Sequence, residues 1–182
     1  PCKESVGGIT NVYLAPYSED FPANFTITSA NAITTLSSNI TLYKWETRPL
    51  SSSFTQNISG DPANGVTSYE QTAELVFHKI GLEDFEHLQE LIRGRVQGFV
   101  LDANHNCYAI GMMFGAEVVG GSMTTGTARS DLSGFTLTLT AQESDMLMVT
   151  ASGGVPGTAN YPFDNLTNAS TYLTISGTSY TT

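Results

Sequence analysis

The chain has 182 residues, 40% of them hydrophobic and 13% charged, with a net charge of −10. That is enough chain for one domain with a full core, too apolar for an acidic disordered segment, and too poor in cations for tight nucleic-acid binding through counterion release. No apolar run approaches the ~20 residues that a membrane-spanning helix needs. The first residues, Pro1-Cys2-Lys3-Glu4, lack the basic stretch and apolar core of a signal peptide, so synthesis in a cytoplasm is the expectation.

Ile9 to Tyr17 sets Val12 and Leu14 against Asn11 and Tyr13 and stops at Pro16, as a strand does. A polar stretch follows, and Ile40-Thr-Leu-Tyr-Lys-Trp-Glu46 is the next β-prone run, with Pro49 marking an edge or a break. Phe54 to Gly65 and Val66 to Ile80 flank a Gly/Asp/Pro/Asn-Gly turn cluster and predict a long β-hairpin. In its second arm Ala73, Leu75 and Phe77 fall on a face to be buried, and Glu74, Val76 and His78 on a mixed face suited to an interface.

After Gly81 the period changes: Leu82, Phe85, Leu88 and Ile92 recur at helical spacing, with acids early, Arg93 late and Gly94 as a stop. Val96–Leu101 and Cys107–Met113 predict a second hairpin around Asp102-Ala-Asn-His-Asn106. Phe135, Leu137 and Leu139 alternate with threonines in the clearest amphipathic strand, and β character resumes at Met146–Val149. Beyond Ala151 the chain is rich in Gly, Asn, Thr and Ser, with a strand expected only at Tyr172–Ile175. The pattern predicts a mainly β fold, a β-sandwich or partial barrel with one flanking helix and a long hairpin. Residues 1–151 are expected to form the β domain and 152–182 a C-terminal extension or arm.

Chemical motifs do not accumulate. Asp102-x-Asn104-x-Asn106 begins like a calcium loop, but Cys107 stands where that loop needs Gly and Met113 where it needs Glu, so a hairpin turn is the reading. His78, His87 and His105 lie in unlike contexts, and Cys2 and Cys107 match no metal or redox spacing, so no metal site and two free thiols are expected. No Gly-x-Ser-x-Gly elbow or phosphate-binding Gly-rich loop is present. Glu70 and Glu74 share a strand face, yet solvated or pore-facing carboxylates are the better reading than a glycosidase pair. No catalytic residue and no cofactor are expected, and the chain is read as a non-enzyme.

One ordered arrangement is distinctive. Ser68-Tyr-Glu-Gln-Thr72 opens a strand; an acidic helix follows, then Val100-Leu-Asp102 with an Asn turn and Tyr108-Ala-Ile-Gly111. Gly115-Ala-Glu-Val118, Thr125-Gly-Thr-Ala128, Asp131-Leu-Ser-Gly-Phe-Thr-Leu-Thr138 and Ala141-Gln-Glu143 complete the order. It resembles the tail tube (major tail) proteins among the structural proteins of phages that infect Bacteroidetes, over roughly Gly7–Tyr17 and Phe54–Thr150.

The resemblance implies subunits joined in hexameric rings that stack into a tube for the genome, located in the virion tail after assembly in the host cytoplasm. The partners are then other copies, other tail proteins and DNA in transient, non-sticking passage, with no membrane. Glu70 and Glu74 are candidates for the lumen and Asp61 for ring-to-ring contact; Phe54, Ile58, Val66, Tyr69 and Val76 are candidates for an inter-subunit hairpin. Two other readings share the β pattern: a capsid decoration or tail-tip protein, and a secreted carbohydrate-binding β-sandwich using Trp45 and the tyrosines as platforms.

Overall fold

The computed structural model describes residues 6–47, 51–61, 65–78, 89, 92–127, 133–146, 148–149 and 156–177. The expected helix over Leu82–Ile92 falls almost wholly outside them; Gln89, Ile92 and Arg93 are helical. The described chain is mainly β. Its strands are β1 (Ile9–Pro16), β2 (Phe25–Ile27), β3 (Ala32–Leu36), β4 (Ile40–Glu46), β5 (Ser53–Asp61), β6 (Val66–His78), β7 (Val96–Asp102), β8 (Cys107–Ile110), β9 (Ala116–Thr124), β10 (Gly134–Glu143), β11 (Met148–Val149) and β12 (Leu173–Ser176). A single helical turn, α1 (Ala169–Tyr172), leads into β12.

The strands hydrogen-bond into one large mixed sheet that folds over on itself. One layer runs β12-β4-β1-β7-β8-β11-β3-β2, and the other is the antiparallel set β9-β10-β6-β5. They join at a single registered pair, Val96 with Ala116. The layers cross steeply. Gln71 on β6 reaches Ala109 on β8, whereas Phe77 on the same strand packs edge-on to Trp45 on β4, and β8 and β4 lie on opposite sides of the β1/β7 pair.

β1 and β7 are buried on both faces, which is why they read as nearly unbroken apolar runs rather than alternating ones. Tyr13, Ala15, Phe99 and Leu101 enter one cluster with Phe21, Phe25, Ile33, Leu36 and Leu42. Val12, Leu14, Val96 and Val100 enter the other with Ala73, Leu75, Phe77, Leu137 and Leu139, between the two layers. The antiparallel backbones of β1 and β7 approach so closely that a Cβ on Gly98 would lie 1.9 Å from the Tyr13 carbonyl oxygen.

The segment expected as a C-terminal extension is, over 156–177, part of this core. Phe163, Leu166, Ala169 and Leu173 are buried in the first cluster, and Phe163 packs edge-on to Tyr13 and Phe99. Thr167 exchanges backbone hydrogen bonds with β3, and β12 adds in parallel to β4. These few apolar side chains, spaced by Asn and Thr, cover a face that β1, β4 and β7 would otherwise leave in water. The stretch read as merely polar before Ile40 also carries strands, β2 and β3, whose Phe25, Ile33 and Leu36 are buried.

Candidate assembly face

The long hairpin forms as β5 and β6, in register from Ser53 with Glu74 to Asp61 with Val66. β6 pairs on its other side with β10 from His78 only as far as Tyr69, so the ribbon of Ser59–Asp61 and Val66–Ser68 runs on past the body of the sheet. At its base Ile58, opposite Tyr69, is 68% exposed. Asp61 and Val66 close the ribbon at its tip as a backbone pair.

Inward and outward residues alternate as the pleat requires. Gln71, Ala73, Leu75 and Phe77 are buried against the second cluster, while Glu70, Glu74 and His78 are exposed and Thr72 and Val76 half-buried on the outer face. Cross-strand register places Gln142 beside Glu70, Thr140 beside Thr72 and Thr138 beside Glu74, then Glu117 beside Thr140. On β5, Asn57, Thr55 and Ser53 continue the same rows. The outer face is therefore a field of hydroxyls and amides bearing the carboxylates of Glu70, Glu74 and Glu117. None of its strands contains a Lys or Arg. Four residues of strand place Glu70 and Glu74 about 13 Å apart, beyond the ~5–9.5 Å at which a carboxylate pair cleaves glycosides.

Among the described residues, β9 pairs with β10 but has no strand on its other side after Ala116, and β5 is likewise the last strand of its layer. Both edges carry exposed apolar side chains: Val119 and Met123 on β9, at 60% and 69%, and Ile58 on β5. A bulge at Val119 interrupts the register of β9 with β10. The other hairpin candidates divide by face: Phe54 turns inward and stacks on Tyr108 at 5.9 Å, half-buried Tyr69 stands opposite Ile58, and Val76 lies on the outer face opposite Thr136.

The loop from Gly111 to Gly115, just before β9, is held from several sides. Met113 and Phe114 donate their backbone N–H groups to the Glu143 carboxylate at 2.9 and 3.2 Å. Their carbonyls accept from Tyr17 Oη at 3.0 Å and Arg95 Nη1 at 2.9 Å, with the Arg95 guanidinium 4.2 Å above the Tyr17 ring centre. Gly111, in the left-handed region at φ 61°, donates to Gln71 Oε1. Glu143 is 3% exposed, and burial raises its pKa above the usual carboxylate value despite the two N–H donors that favour its charge. The side chains held outward by this clamp are apolar: Phe114 is 58% exposed and Met113 37%.

Beneath β5 lies a cleft of about 410 Å3, lined by Val6, Ile9, Phe54, Val100, Tyr108 and Met146 together with Gln56 and Asp102. Among the described residues, Gln56 Nε2 is buried without a partner.

The other candidates are spent on structure. Asp102 Oδ1 accepts the N–H groups of Asn104 and Asn106 at 2.8 and 2.7 Å, and its Oδ2 accepts from both side-chain amides, so the loop closes on its own carboxylate as an Asx-type turn. His105 Nδ1 is bonded to Tyr161 Oη. Trp45 packs into the second cluster, its Nε1 buried, rather than offering an open platform. Cys107 is a buried free thiol whose pKa is pushed up by desolvation. Among the described residues no His, Cys, Asp and Glu converge as a metal-ligand group, and no helix is long and apolar enough to cross a membrane.

Comparison with known proteins finds no family model that matches the chain, and no match among curated proteins or solved structures.

Proposed function

We propose that the chain is a structural, non-enzymatic subunit that joins laterally into rings, and that the rings stack as the tail tube of a phage, with the outer face of β9-β10-β6-β5 lining the channel. The observation that carries this is the pairing of two bare edges with a cation-free face. The layer is antiparallel throughout and has an even number of strands, so β9 and β5 run in opposite directions. A second copy in the same orientation can therefore set its β5 against the first copy's β9 and continue an antiparallel ladder. Such a contact is heterologous, and repetition closes it into a ring where the rotation from copy to copy divides a full turn. Each exposed edge, an aggregation hazard in a lone subunit, is then satisfied by a neighbour.

On the channel side, Glu70, Glu74 and Glu117 would repel DNA phosphates within about 8 Å at physiological ionic strength, and the hydroxyls between them offer no counter-charge. The hairpin ribbon that outruns the sheet, with Asp61 at its tip, is placed to meet the next ring. Six copies per ring is what the resemblance implies.

Negative-stain electron microscopy of the purified chain over a concentration series tests the proposal. Rings or hollow tubes are expected, with end views of one fixed symmetry. A chain that stays monomeric at every concentration, even with preformed tail material as a seed, would sink it.

A further inference from the structure

We infer that the clamped Met113–Phe114 loop of one copy docks in the cleft beneath β5 of the next copy, as the apolar anchor of the lateral junction. The inference rests on the ring proposed above and names the side chains that hold it.

An exposed Phe and Met on a Gly-bounded loop would ordinarily sample many conformations. Here Glu143, Tyr17, Arg95 and Gln71 each fix a backbone group of that loop, and one of them is a carboxylate withdrawn from water. Nothing in the subunit's own core needs Phe114, since it remains 58% exposed. An apolar side chain presented by a pre-ordered backbone escapes much of the ordering cost of association, and a few such anchors carry most of an interface's energy.

The cleft is the complementary part. It has room for both side chains, its walls include Phe54, Tyr108 and Met146, and the Gln56 amide finds no acceptor among the described residues of its own subunit. Charge agrees: exposed Arg95 is bonded to the loop, whereas Asp102 lines the cleft. Between copies that each carry −10, apposing these opposite charges relieves repulsion and fixes orientation.

Position agrees as well. Ala116, Ala141, Gln71 and Gln56 form one row across the layer. Extending that row to the next copy sets the start of β9 against Gln56, with Met113 and Phe114 just ahead of it beside Asn57–Ser59, bordering the Gln56 end of the cleft. The loop and the cleft flank opposite edges of the layer, so each copy offers one and receives the other.

The test replaces Phe114 with the photo-crosslinker p-benzoylphenylalanine in the full chain, illuminates it under assembling conditions and maps the cross-linked peptides. A parallel Phe114→Glu chain, checked for unchanged circular dichroism and melting, is titrated for assembly. Cross-links to residues 53–56, 102–108 or 146 of another copy are expected, with the concentration needed for Phe114→Glu to assemble raised about tenfold or more. Wild-type tubes whose cross-links fall elsewhere, or a Phe114→Glu chain that assembles like wild type, would overturn the docking and leave the ring intact. A wild-type chain that forms no assembly would overturn both.

Discussion

The β1/β7 ladder and the β9-β10-β6-β5 layer use the same antiparallel pairing to opposite ends. In the ladder both faces are buried, and strands on either side satisfy both backbone edges. In the layer one face packs on the second cluster, the other stands in water, and both edges are bare among the described residues. The difference separates stability from sociability: substitutions in the first should unfold the subunit, and substitutions along the bare edges of the second should leave it folded but alone.

The sharpest break is Gly98→Ala. A methyl group 1.9 Å from the Tyr13 carbonyl oxygen has backbone on its far side and nowhere to move, so β1 must part from β7. Destabilisation beyond about 4 kcal/mol is expected, seen as loss of soluble protein or of a cooperative melt. A stable Gly98→Ala chain would mean that the two strands are not so close. Phe163→Ala comes next, at about 3–5 kcal/mol in urea unfolding, because the ring is 1% exposed between Tyr13 and Phe99. A cost near zero would return 156–177 to the status of an arm.

Glu143, at the seam between the two regions, should give a smaller and pH-dependent effect. Its folded pKa is raised by burial above 4.5, so the folded chain holds the proton where the unfolded chain has released it. The stability linked to Glu143 is then full below 4.5 and is lost as pH rises through the raised value. Melting of wild type compared with Glu143→Gln across that window should show wild type losing ground as pH rises; parallel curves would count against a buried carboxylate there.

Smallest in stability is the double change Val119→Lys and Met123→Lys on the β9 edge. Both side chains are mostly exposed, so each should move unfolding by no more than about 0.5 kcal/mol. Assembly, followed by light scattering, should nevertheless be lost, since like charges along a bare edge oppose strand addition. Tubes that form normally would place the lateral junction elsewhere.

Much of the fold was legible where period and burial agree. The β5/β6 hairpin, the alternation along β10, the β7/β8 hairpin around Asp102 and the strands β1 and β4 follow directly from their sequence patterns. β2 and β3 escaped notice because they are short and their buried Phe25, Ile33 and Leu36 are spread among Thr and Asn. The covering role of 156–177 escaped for the same reason, since isolated apolar residues in a polar context announce burial only once a partner surface exists. At the candidate face, Glu70 and Glu74 were readable as outward carboxylates from strand period alone. Glu117 and the Glu143 clamp were not, because both depend on which strands become neighbours.

Cys107 gives the molecule a clock. Its sulfur lies in the cluster that 156–177 covers, is wholly buried, and has a pKa pushed upward, so a thiol reagent can attack only after the structure opens. In a Cys2→Ser chain, the labelling rate therefore measures how often that cover lifts. Labelling no faster than global unfolding would mean that the cover and the ladder open as one cooperative unit. Faster labelling would mean that the last part of the chain to close the core is also the first to leave it.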